Sequence, residues 1–195
     1  MIRPIGRPVS AAFLALALSL SHLPASQVRP VDLEQMTHRA ARIFEGRCTG
    51  SRVEFDTSLK REVVLSTFRV HRWVKGADGS VVTVRMLAGA PGSAGSEAAG
   101  LPSFRPGDEA VLFLYGESTL GLTSPVGLGQ GRFRIFRDKQ GRRLALNDFG
   151  NRNLNLQGAP AGGERGRVVP PGMAGSPLDP AELLDRAQAF AAGKR

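Results

Sequence analysis

The stretch STFRVHRWVKG, residues 66–76, sets Arg69, His71 and Trp73 at alternate positions, and RFRIFR, residues 132–137, does the same with Arg132 and Arg134. Arg142 and Arg143 crowd the turn that follows. Alternate side chains of an extended strand share a face. These segments therefore offer a stripe of cations with one aromatic, a surface suited to an anionic polymer through charge and stacking. The same spacing also describes an ordinary half-buried strand, with a solvated outer face and Trp73 packed beneath the N-terminal or the C-terminal helix.

Other chemistries find less support. A zinc site needs three or four His, Cys or carboxylate ligands at workable spacing; past the first 25 residues only His38, His71 and Cys48 remain, and no pair of them is spaced like ligands. No serine stands in a nucleophile elbow, since GSAGSEAAG lacks the strand-turn-helix setting. Glu54, Asp56, Glu62, Asp108 and Glu109 all read as turn residues, away from any interior where paired acids would work. GLGQG, residues 127–131, echoes a phosphate cradle, but a strand follows it where the dinucleotide fingerprint needs a helix, so it reads as a turn. The expectation is a protein that is not an enzyme and carries no cofactor and no metal.

The chain opens MIRPIGRPVSAAFLALALSLSHLPASQ: Arg3 and Arg7 precede a short apolar run, and Ala25 marks a plausible cleavage point. That is the pattern of a secretory signal peptide over 1–25. The run is too short to cross a bilayer, for which about 20 residues are needed. An exported, periplasmic or secreted chain is expected, with no stable membrane span and no nucleic acid as partner. Cleavage removes two arginines and no carboxylate, so most of the formal net charge of +9 survives. Net charge of this kind bears on association and not on fold. Cys48 is the only cysteine, which rules out an intramolecular disulfide; within an apolar strand it reads as a small buried hydrophobe.

The elements that would position these residues follow from periodicity. Asp32 and Gln35 form a capping box ahead of Leu33, Met36 and Ala40, predicting a helix over 33–41. From Arg42 the period becomes two, with a bulge expected at Gly46 or Gly50. REVVLSTFRVHRWVKG is the longest strand and forms a hairpin with VVTVRML across Asp78-Gly79. The continuous apolar run at 110–115 is the expected central strand, and 132–137 pairs with 143–147. Residues 88–100 form a loop, 151–177 a flexible Gly/Pro-rich linker, and Asp179-Pro180 with Glu182 starts an amphipathic helix within 178–193. That helix either docks on the barrel or waits for a partner. The fold class is mainly β: a small antiparallel, OB-like, partly open barrel over 26–150 with a short N-terminal helix, followed by the linker and the C-terminal helix.

The succession ARIFEGRCTG, TFRVHRWVKG, VTVRM, GLPSFRPGDEAVLFLYG and GLTSPVGLGQGRFRIF resembles a loose group of exported bacterial β-barrel proteins of unknown function. The likeness rests on Phe68, Val70, Lys75, Gly76, Pro106, Gly107, Phe113, Gly131 and Phe133. The pattern is more distantly similar to the barrel of tissue metalloproteinase inhibitors and netrin-type modules. Their inhibitory N-terminal cysteine has no counterpart, because the mature start lies near Ser26 and Cys48 sits deep in the chain, so no site residue transfers. With no catalytic or metal constellation in the chain, the expected function is that of an exported, non-catalytic binding protein for an envelope polymer or a secreted protein. The alternative is a partner or inhibitor of a secreted peptidase, acting through the loop at 88–100.

Overall fold

The computed structural model describes residues 29–76, 79–88, 103–154 and 176–193. The expected signal peptide, nearly all of the loop at 88–100 and most of the linker lie outside those residues. Helix α1 spans Leu33–Arg39, and the Asp32 carboxylate accepts from the Gln35 amide at 2.7 Å, the capping bond that its spacing predicts. Six strands follow: β1 Arg42–Asp56, β2 Arg61–Lys75, β3 Val81–Leu87, β4 Glu109–Leu114, β5 Arg132–Arg137 and β6 Arg143–Asn147. Helix α2, Pro180–Ala191, closes the chain and is capped by Asp179. None of the described helices is long and apolar enough to cross a membrane.

Among the described residues all strand pairs are antiparallel and run in the order β3-β2-β1-β4-β5-β6, a mainly β, partly open architecture whose end strands do not pair with each other. β4 is paired on both edges, and its residues from Ala110 to Leu114 are all buried, as its unbroken apolar run predicts. One face of the sheet, with Ile43, Val111, Phe113, Phe133 and Ala145, packs under Leu33 and Met36 of α1 and Leu183, Leu184 and Ala187 of α2. The other face gathers Phe44, Phe68, Val82, Val84, Met86, Leu112 and Phe104, with Phe68 edge-on to Phe104 at 4.9 Å between ring centroids.

Register shifts interrupt β1 at Ile43/Phe44, Glu45/Gly46 and Cys48/Gly50, the last two at its glycines. One shift leaves His71 without a register partner between Val70 and Arg72, so the alternation on β2 reverses there. Trp73 consequently lies with Phe44, 5.2 Å between centroids, and donates from Nε1 to Gly79 O at 2.8 Å. The expectation that Trp73 sits beneath a helix and shares a face with Arg69 and His71 is corrected by that single extra residue.

Residues 151–154, assigned to the linker by composition, form a packed turn in which Asn151, Asn153 and Leu154 are buried. Described chain resumes at Ser176, and Leu178 pairs with Ala145 through two backbone hydrogen bonds, at 2.7 and 3.1 Å. α2 therefore docks on the sheet, and Arg72 on β2 holds its Asp185 at 2.6 Å.

The segment GLGQG is a turn, as expected: Gly127 is left-handed and a single 3-10 turn, Leu128–Gln130, leads into β5. A Cβ on Gly131 would lie 2.6 Å from Val126 O and 2.7 Å from Val126 N, both backbone atoms that cannot swing aside. Gly131→Ala is expected to destabilise the fold by about 1–3 kcal/mol. Chemical denaturation should show a lower midpoint at unchanged slope.

Candidate binding site

The seven residues of the anticipated binding stripe do not converge. Arg132 is buried; its guanidinium makes bonds of 2.8 Å to both carboxylate oxygens of Asp148 and donates to Ser103 O at 2.9 Å. It also stands 5.9 Å over the Phe104 ring, so it is part of the interior and is corrected as a surface contact. Arg134 is exposed, but its register partner Ala110 places it on the face away from the helices, 3.8 Å from Asp148. Arg142 lies in the β5–β6 turn, paired with Asp138 at 2.7 Å.

Arg69, His71 and Arg143 do fall on the helix-bearing face, at the end of the sheet beyond α2. Register sets Arg69 opposite Arg47, and Arg47 opposite Glu109. Arg47 donates to Glu109 from Nε at 3.1 Å and also from Nη2. Arg143 reaches across to Glu45, which it hydrogen-bonds, and to Glu109 Oε2 at 3.5 Å. His71 Nδ1 stands 4.0 Å from Glu45 Oε1. The result is a chain of alternating charges across β2, β1, β4 and β6, in which Glu45 is nearly buried while Arg47 is more than half exposed. Arg69 is exposed and makes no ion pair among the described residues.

Glu45, Arg47 and Glu109 were not legible as site residues. Glu109 reads as a turn residue beside Pro106-Gly107, yet it begins β4. A carboxylate such as Glu45 between Phe44 and Gly46 inside an apolar strand was the available signal, because a buried carboxylate needs a partner.

The hydrogen bond from Arg47, aided by the charges of Arg47, Arg143 and His71, holds the Glu109 carboxyl below its ordinary range. The hydrogen bond to Glu45 pushes the Arg143 guanidinium further up. Since the folded value for Glu109 lies below the unfolded one of about 4.3, its ionised form favours folding. That contribution is complete above the unfolded value and is lost as pH falls through the folded one. Glu109→Gln is therefore expected to flatten the acid limb of stability against pH, read as urea midpoints below about pH 4.5; parallel profiles would contradict the pairing.

The remaining reactive groups are quiet. Cys48 is buried, burial pushes its thiol up, and Sγ donates to Gly50 O at 3.4 Å. His38 is on the exposed face of α1, 3.7 Å from Glu34. Among the described residues no three His, Cys, Asp or Glu side chains converge as metal ligands.

Fold and site together define a class: an antiparallel, partly open β-barrel-like sheet with two helices on one face and a charged network at its end. The chain matches no protein-family model and no curated protein. The residues that carry the resemblance noted above have structural work. Phe68, Phe113 and Phe133 are fully buried, Lys75 Nζ donates to the α1 carbonyls of Thr37 and His38 at 3.1 and 3.3 Å, and Gly131 packs on backbone. The loop on which the peptidase alternative rests lies outside the described residues.

Proposed function

We propose that this chain is an exported, non-catalytic binding protein that engages an anionic partner outside the cytoplasm, an envelope polymer or an acidic surface of a secreted protein. One observation carries the reading: Arg47, Arg69, His71 and Arg143 occupy one end of a single sheet face with Glu45 and Glu109 set among them and Asp179 near Arg143. Glu45 and Glu109 orient Arg47 and Arg143, and Arg69 keeps its charge unneutralised. Such a surface attracts an anion at long range and weakens with salt.

The test is retention of envelope and secreted fractions by the chain from Ser26 onward, at low and moderate salt, beside an Arg47→Glu/Arg69→Glu variant. Polymer that is retained at low salt and released by moderate salt, or a defined protein that survives it, supports the reading when the variant retains neither. Equal retention by the variant, or no retention by the unaltered chain, overturns it.

A further inference from the structure

Strand β1 outruns the strand beside it. β4 accompanies it only as far as Arg47, and the backbone of Cys48 is taken up by Asp108 and Gly107. Across residues 49–56 β1 pairs with β2 alone among the described residues. A row of unpaired backbone donors and acceptors is a template for another strand. The side chains along it do not hide: Val53 is 59% exposed and Phe55 64%. No proline or lysine interrupts the edge, and Arg52, Glu54 and Asp56 alternate with Val53 and Phe55.

We propose that this edge pairs with the same edge of a second copy, antiparallel about a twofold axis through Val53. The occupant is a second copy because the edge is complementary to itself. An axis perpendicular to the sheet keeps the two faces matched, so a directly opposed pair must lie on the same face of β1. Centred on Val53, Arg52 opposes Glu54 of the second copy and Glu54 opposes its Arg52. On the other face Val53 meets its own counterpart, with Phe55 diagonal to it. Centring on Arg52 sets two guanidiniums against each other, and centring on Glu54 sets two carboxylates against each other; like charges directly opposite destabilise a pair. Within one chain Arg52 Nε already donates to Glu54 Oε1, so the Val53-centred register closes a square of alternating charge.

The dimer joins two six-stranded sheets into one. It also places the two charged networks on a common face, with their Arg47 positions about 40 Å apart along the strands at roughly 3.3 Å per residue. Pairing itself does not depend on what that face binds.

Sedimentation equilibrium of the chain from Ser26 onward, over a wide concentration range, tests this. The unaltered chain is expected to dimerise, and Arg52→Glu and Glu54→Arg are each expected to weaken dimerisation by about tenfold or more, since both cross-strand pairs turn from attractive to repulsive. An equimolar mixture of the two variants should regain the dimer, because opposite charges then face each other at both positions; a misfolded variant could not produce that recovery. A chain that stays monomeric throughout, as it would if a segment of its own covered the edge, overturns the proposal. So does a dimer indifferent to both reversals, or a mixture that remains monomeric.

Discussion

Leu184→Asp is expected to cost at least about 3 kcal/mol of stability, through the lost burial of a leucine and the desolvation of a carboxylate with no partner. Leu184 is fully buried with Leu183 and Ala187, in the same cluster as Ile43, Val111, Phe113 and Phe133. The helix α2 is thus one wall of the main core, joined to the sheet further by Arg72 with Asp185 and by the Leu178–Ala145 bridge. A loss of that size is a large part of the 5–15 kcal/mol that holds a typical domain. Urea denaturation followed by circular dichroism should show the whole sheet melting earlier, in one transition. Leu184→Met, which nearly conserves volume, should cost less than about 1.5 kcal/mol. If the aspartate variant kept the wild-type midpoint, α2 would be an appendage and the docked arrangement would be wrong.

Asn147→Ala is expected to cost about 3 kcal/mol or more, because several buried groups lose their partners at once and each unmet group costs about 1–3 kcal/mol. The Asn147 side chain donates from Nδ2 to Gln130 O at 3.1 Å and to Asn153 Oδ1 at 2.8 Å. Its Oδ1 accepts from the amides of Phe149 at 3.0 Å and Asn151 at 2.8 Å. The network runs on: Asn153 donates to Val31 O at 2.6 Å, and Gln130 accepts from Val31 N at 2.7 Å while donating to Arg29 O at 3.0 Å. These amides tie the segment before α1 to the turn after β6. Arg152→Ala, on an exposed side chain of the same turn, should stay within about 0.5 kcal/mol. Equal midpoints for the two variants would show that water replaces the buried bonds without cost.

The charged network answers to a different measurement. Its outer member Arg47 is too exposed for a large effect on stability, so the network's value should appear as salt-dependent binding and as the acid limb contributed by Glu109. Dimerisation through β1 would multiply that effect by presenting two such surfaces together.

Much of this molecule follows from local pattern alone. The period of two at Arg42 and along β2, the apolar run of β4, the hairpin at 132–147, and the caps at Asp32 and Asp179 all depend on residues close in sequence, whose spacing decides which side chains share a face. Those elements lie where periodicity puts them. The placement of particular side chains required the folded chain. One unpaired residue at His71 turned Trp73 to the opposite face, and no periodicity reports where a partner strand will skip a residue. Arg132 looks like a surface cation until Asp148, Ser103 and Phe104 close around it, and the last two approach from a part of the chain far from it in sequence. The apparent linker residues Asn151 and Asn153 are polar, as a loop would be, but they complete hydrogen bonds for the backbone at Val31, Ala145 and Asn147. Glu45 with Arg143, and Arg47 with Glu109, are likewise pairs of distant residues brought together by strand order. Local sequence determined the strands, turns and caps because short-range sterics and periodic burial act on neighbours; tertiary structure decided the partners of each charge, because ion pairs and buried amides depend on distances that only packing sets.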